Sequence, residues 1–210
     1  MKIFTKICGI TNLEDALASI EAGVDALGFI FYPKSPRYIA PTEAFKIIKS
    51  IPEKIKTVGV FVNESRNHIQ EIIIETGINV LQLHGDESPE DCQYSNTEVW
   101  KGVRINSESE LSTLNQFKVD AFVFDAFQPD IYGGTGTMCD WDIAKVAAKT
   151  QKVLLSGGLN PENIIDAITR VNTFGVDVNS GVESSPGKKD FGKIKQLFES
   201  LKILEQKGTG

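Results

Sequence analysis

The feature that most narrows the possible folds is a repeat of pattern rather than of letters. A short apolar, β-branched run is followed by a longer stretch of helical period, and the alternation recurs along the whole chain. It begins with Ile3 to Cys8 and then Leu13 to Glu21, where Leu13, Ala16, Leu17 and Ile20 share one face. It returns as Ala26 to Phe31 with Thr42 to Lys49, Thr57 to Phe61 with Ser65 to Thr76, and Val80 to Leu83 with a helix opening at Ser88-Pro89. The second half reads Val99 to Val103 with Ser109 to Gln116, Ala121 to Asp125 with Asp142 to Lys149, Val153 to Ser156 with Asn160-Pro161 through Arg170, and Gly175 to Val178 with Asp190 to Leu204. Asn12 and Thr42 sit where helix N-caps are expected, and Pro89 suits a first helical turn.

Strand ends recur roughly every 24 residues, a spacing that suits one strand plus one crossover helix. Eight such units predict an α/β fold: a (β/α)8 TIM barrel of eight parallel strands, with residues 1–210 as one domain. An open doubly wound sheet is the rival, but it carries fewer strands and a glycine fingerprint in its first turn. Here that turn reads Cys8-Gly9-Ile10-Thr11. The 210 residues, 41% of them hydrophobic, are enough for one continuous core. Gln206 to Gly210 has no apolar anchor and is expected to be a flexible tail.

A formal charge of -6, with Lys interspersed among Asp and Glu, gives no basic footprint for nucleic acid. The longest apolar runs, such as Val119 to Phe124, fall far short of the roughly 20 residues that span a bilayer. The chain opens directly on a strand with no charged leader, so a soluble, cytoplasmic protein is expected. Cys8, Cys92 and Cys139 are odd in number, widely spaced and outside any CxxC pattern, which points away from disulfides and zinc and toward a reducing compartment.

Ligands of parallel α/β folds gather at the carboxyl ends of the strands. Strand seven ends in Ser156-Gly157-Gly158-Leu159 and strand eight in Asn179-Ser180-Gly181-Val182-Glu183. Paired turns there predict a phosphate site at Gly157, Gly158, Ser180 and Gly181, where bare backbone N–H groups can approach an anion. A lone glycine pair would be read as a tight turn. Gly133-Gly134-Thr135-Gly136, in the long segment after strand six, is read as a mobile lid loop that folds over the ligand, carrying Gly133, Gly134 and Gly136. Composition alone allows a plain solvent-exposed linker equally well.

Alternation along strand one turns Lys6 and Cys8 toward the barrel interior, with Cys8 at the open mouth. Taken alone, Cys8 reads as a packed core thiol. Asp125 closes the apolar run Ala121-Phe122-Val123-Phe124, where a carboxylate needs partners or an open end; helix capping is its bland role. Strands one and six are separated around a barrel by strands seven and eight. The two groups are therefore expected to face opposite sides of a ligand held on the phosphate turns.

Several runs together resemble phosphoribosylanthranilate isomerase. They are Lys6-Ile7-Cys8-Gly9-Ile10-Thr11, Gly28 to Ser35 with Arg37-Tyr38-Ile39, Gly59 to Asn63, Leu81 to Gly85, Gly133 to Gly136, Leu155 to Asn163, and Val176-Asp177-Val178 followed by Ser180 to Glu183 and Pro186 to Asp190. The resemblance implies an enzyme of tryptophan biosynthesis acting on a phosphorylated small molecule by an Amadori rearrangement, with no metal and no organic cofactor. It assigns general base to Cys8, general acid to Asp125, and capture of the anthranilate carboxylate to Arg37, a planar bidentate donor. Such chemistry asks for a thiol displaced toward thiolate and a carboxyl displaced toward the acid. Lys6 is a candidate for the first of these tasks.

Gln82 and His84 end strand four and are candidates for the pocket wall, with local hydrogen bonding as the plain alternative. Asp177 is either an orienter of ligand hydroxyls or a buried structural carboxylate. His68 falls on the third helix and reads as solvated surface. A metal-dependent phosphosugar epimerase needs clustered His and carboxylate ligands, and a chain with only His68 and His84 serves it poorly. The alternative from another class is a non-catalytic phosphosugar-binding barrel. Monomer and homodimer are both open.

Overall fold

The computed structural model describes residues 2–104, 107–125 and 140–207. Eight parallel strands run β1 Phe4–Ile7, β2 Ala26–Ile30, β3 Lys56–Phe61, β4 Val80–Leu83, β5 Glu98–Val103, β6 Ala121–Phe124, β7 Val153–Leu155 and β8 Gly175–Val178. They close into a barrel in chain order, β8 pairing with β1 through Lys6 opposite Asp177. The alternation expected of half-buried strands sorts the side chains into two layers. Ala26, Val58, Val60, Val80, Trp100, Ala121, Val123 and Leu154 fill the interior, while Ile7, Leu27, Phe29, Phe61, Leu81, Leu83, Phe122, Phe124 and Leu155 meet the helices.

The helices are α1 Leu13–Ala22, α2 Pro41–Lys49, α3 Arg66–Thr76, α4 Trp141–Ala147, α5 Ile164–Val171 and α6 Phe191–Lys207. Asn12 caps α1 as expected, its side chain accepting from the Asp15 N–H at 2.8 Å, and Gly23 ends the helix in the left-handed region. The expected cap at Thr42 is displaced. Ala40 takes that position because Pro41, with its fixed φ and missing N–H, already fits the first helical residue.

Two expected helices differ in kind. No helix follows β4: Ser88 and Asp91 bond each other's backbone and side chains, and the segment forms turns. Cys92 is its only fully buried apolar side chain, too little to support an amphipathic stripe. After β5 the helix Glu108–Gln116 is 3-10 rather than α. Ser112 and Thr113 turn their hydroxyls back onto the carbonyls of Ser109 and Glu110, and Leu114 alone is buried. Helix α5 begins at Ile164, later than expected, because the Asn160 carboxamide caps a preceding turn at Glu162 and Asn163. At the other end α6 extends through Lys207, two residues into the segment expected as a tail. Among the described residues no helix is long and apolar enough to cross a membrane.

Candidate active site

The carboxyl ends of the strands open onto a cavity with about 520 Å³ of empty space, the open solvent at its mouth included. Cys8 from β1 and Asp125 from β6 both line it, together with Arg37, Gln82, His84 and Asp177. Six residues separated by up to 169 positions in sequence thus share one chamber. Gly133, Gly134 and Gly136 lie outside the described residues, as does Cys139.

Gln82 and His84 do both things expected of them separately: they line the wall and they bond locally. Gln82 Nε2 lies 3.0 Å from His84 Nδ1, and His84 Nε2 lies 3.2 Å from Asp125 Oδ2. An amide nitrogen donates, so Nδ1 is the acceptor and the imidazole carries its proton on Nε2, facing the carboxylate. Gly102 on β5 makes room for this ring. A Cβ there would stand 2.2 Å from His84 Nδ1.

Cys8 is buried, and so is Lys6 behind it, whose ammonium donates to Asp177 Oδ2 at 2.7 Å. Burial raises the thiol above its ordinary pKa, and Asp177 pushes it the same way. Lys6 and Lys189 pull it down without reversing the result. The expected displacement toward thiolate is therefore absent from the ligand-free site, because burial, with Asp177 adding to it, outweighs the pull of the lysines. For Lys6 itself burial favours the neutral form, but Asp177 and Cys8 outweigh it and hold the ammonium charged.

Arg37 is not the isolated donor its expected role suggests. Its Nε and Nη2 fork onto Glu183 at 2.8 to 3.1 Å, both partners buried, and Nη1 has no hydrogen-bond partner among the described residues. Glu183 also accepts from Lys189 Nζ at 3.0 Å and from the Gly187 N–H at 3.3 Å. Despite its burial, these cations hold the Glu183 carboxyl below the usual range, and burial in turn lowers the Lys189 pKa. Sequence reasoning assigned Glu183 and Lys189 no role. Both belong to the antiparallel ribbon of β9 Glu183–Ser185 and β10 Lys188–Lys189, which folds back beside the mouth.

The two glycine turns touch. A Cβ on Gly181 would lie 1.9 Å from the Leu159 carbonyl oxygen, so strand eight's turn is pressed against strand seven's. Gly157 and Gly158 adopt φ of 82° and 66°, a left-handed pair closed by Asn163 Nδ2 donating to the Gly158 carbonyl at 2.9 Å. Among the described residues the N–H groups of Gly157, Gly158, Ser180 and Gly181 have no intramolecular acceptor. Unpaired N–H groups on two touching turns can attract an anion, although the cavity wall itself is formed by their neighbours Ser156 and Asn179. His68, by contrast, sits on α3 at the surface beside Glu71. Among the described residues no group of three His, Cys, Asp or Glu side chains is placed to hold a metal ion.

The family model described as N-(5'phosphoribosyl)anthranilate (PRA) isomerase matches residues 5–200. The chain belongs to this family. It is 45% identical over 207 residues to the N-(5'-phosphoribosyl)anthranilate isomerase of Pelobacter propionicus, covering 99% of each chain. The Citrifermentans bemidjiense relative of the same name is 46% identical over 200 residues, 95% of this chain and 97% of that one. Phosphoribosyl anthranilate isomerase from Thermotoga maritima superposes with a TM-score of 0.88 at 43% identity, covering 96% of this chain and 100% of that one. Another family structure, in complex with reduced 1-(o-carboxyphenylamino)-1-deoxyribulose 5-phosphate, gives 0.85 at 42% identity over the same shares. Family members of known structure thus share the eight-stranded closed barrel seen here.

Proposed function

We propose that this chain converts N-(5'-phosphoribosyl)anthranilate to 1-(2-carboxyphenylamino)-1-deoxyribulose 5-phosphate, an Amadori rearrangement serving tryptophan biosynthesis. The observation that carries the reading is the sharing of one cavity by a thiol and a carboxyl group, with unpaired backbone donors on β7 and β8 between their strands.

The phosphate seats on the N–H groups of Gly157, Gly158, Ser180 and Gly181, and the Nη1 edge of Arg37 receives the anthranilate carboxylate. Asp125 protonates the ribose ring oxygen. His84 Nε2, 3.2 Å from Asp125 Oδ2, fixes the plane of the carboxyl group. Ring opening leaves an iminium at C1, which acidifies the neighbouring C2–H. Cys8 removes that proton and an enolamine forms. The iminium brings a positive charge beside a thiol that burial keeps protonated, so the thiolate becomes accessible when the substrate is cationic and in place.

Purified chain at catalytic concentration should abolish the fluorescence of the substrate with turnover, and Cys8→Ala or Asp125→Asn should each lower kcat roughly 10²–10⁴-fold while inorganic phosphate still binds. Stoichiometric binding without turnover would replace this reading with the non-catalytic phosphosugar-binding barrel. A cytoplasmic location accords with the free thiols of Cys8 and Cys92. Light scattering of the same preparation separates monomer from homodimer.

A further inference from the structure

The rearrangement moves four protons: one onto the ring oxygen, one off C2, one onto C1 and one off the C2 hydroxyl as the ketone appears. Asp125 supplies the first, and Cys8 can take the second and return it as the third. The fourth needs an acceptor at the C2 hydroxyl, either the Asp125 carboxylate left by the first step or a further group.

Asp177 has the properties that step needs. It projects from β8 opposite Lys6 of β1, one residue before Val178, whose carbonyl accepts from the Cys8 N–H, and it lines the same cavity. Its Oδ2 is held by Lys6 at 2.7 Å, while Oδ1 is buried with no hydrogen-bond partner among the described residues. A buried carboxylate oxygen left unpaired is costly, and a ligand donor removes that cost. Cys8 is immediately adjacent. A Cβ on Gly28 would stand 2.7 Å from Cys8 Sγ and 2.9 Å from Lys6 Cε, so thiol and ammonium stem are packed against the same bare backbone.

We propose that Asp177 is a third proton-handling group of this site, Oδ1 first accepting a hydrogen bond from the substrate's C2 hydroxyl and then taking its proton. This rests on the isomerase reading above and adds the step that completes it. In the enolamine, the electron pair of the C1–C2 double bond takes the proton carried by Cys8 and forms the new C1–H bond. The C2 O–H bond breaks, its electrons become the second bond of the carbonyl, and the proton passes to Oδ1. Asp125 ends one proton poorer and Asp177 one proton richer, so the substrate is isomerised with no net gain or loss. Exchange with water after product release resets both. Lys6 holds Asp177 in place through the 2.7 Å contact with Oδ2, as a positioning residue.

The test uses the whole chain and substrate deuterated at C2, with substrate loss followed by fluorescence and ketone followed by rapid quenching and borohydride trapping. In the wild type the two signals should coincide, with a primary isotope effect on both. Asp177→Asn should keep a single-turnover loss of substrate that is isotope-sensitive, while ketone lags behind it. Its steady-state kcat should fall roughly 10²–10⁴-fold, with the isotope effect dropping toward unity because C2–H cleavage no longer limits. Lys6→Met combined with Asp177→Asn removes the buried charges as a pair, guards against misfolding of the single variant, and should show the same lag. Ketone appearing in step with substrate loss in the folded variants, or a slowing of both with the isotope effect intact, overturns the proposal. An inactive wild type would instead sink the isomerase reading itself.

Discussion

Glu183→Gln is the most informative single change outside the reacting pair, because one carboxylate holds two buried cations. The substitution keeps the shape and an acceptor oxygen but deletes the charge that Arg37 and Lys189 share. Removing one partner of a buried ion pair costs about 3–5 kcal/mol, and the retained acceptor places this case near 3 kcal/mol. For a chain of this length that corresponds to a fall in Tm of roughly 6–12 °C. Urea unfolding should show a lower midpoint with an unchanged slope, the sign of lost stability rather than an altered unfolded state. Kinetically, an Arg37 released from its fork should bind the anthranilate carboxylate in a looser geometry, raising KM far more than it lowers kcat.

Acid adds a second readout. The Glu183 carboxyl is held below its ordinary value of 4.5, so the stability it contributes is fully present above that value and is lost as pH falls through the lower folded-state value. Wild-type stability should therefore drop more steeply than that of Glu183→Gln below about pH 4.5. Adding Lys189→Met should recover part of the loss by restoring charge balance. A stability change under about 1 kcal/mol, or an unchanged KM, would show that Glu183 does not hold Arg37 in solution.

The thiol and the imidazole give two further tests. Alkylation of Cys8 by iodoacetamide, followed on its own peptide by mass spectrometry, should be slow at neutral pH and rise only above pH 9.0, since burial keeps the free thiol protonated. A midpoint near neutrality would mean that the resting enzyme already holds a thiolate. Gly102→Ala places a methyl group 2.2 Å from His84 Nδ1, so the ring must leave Asp125. The cost in stability should be about 1–3 kcal/mol, with kcat falling at least tenfold; unchanged turnover would remove His84 from any part in holding the acid.

How much of this was readable from the chain follows the range of the forces involved. Strands and crossover helices are written locally, in alternation and caps, and Asn12 at the start of α1 is as legible as any structural feature. The turns after β4 and the 3-10 segment were missed because Ser88, Asp91, Ser112 and Thr113 spend their polar groups on nearby backbone, which periodicity does not register. The charge network was missed for the opposite reason. Arg37 and Glu183 meet across 146 positions, and Lys6 and Asp177 across 171. A signal did exist: Lys6, Lys101 and Asp177 each interrupt an apolar strand, and a charge in that setting must find a buried partner.

Four buried cations among the described residues call for an explanation other than stability, since a buried ion pair gains little over a well-packed apolar pair. Lys6 is matched by Asp177, Lys101 by Glu87, and Arg37 with Lys189 by Glu183. A substrate bearing both phosphate and carboxylate would be drawn by bare lysines, but a loose ammonium follows its counter-ion and holds no fixed direction. Here the lysines are neutralised in advance. Lys101 is spent on Glu87 and on the carbonyls of Gly85 and Gly102, anchoring the loop that presents His84. What is left to meet an anion is a set of donors that cannot reorient: the N–H groups of the two glycine turns and one edge of a guanidinium clamped from behind. Donors locked before the ligand arrives lose little freedom on binding, and in the proposed reaction they would hold the reacting carbon at a set distance from Cys8 and Asp125. The ion pairs thus act on geometry, converting charges that would attract indiscriminately into a frame that orients.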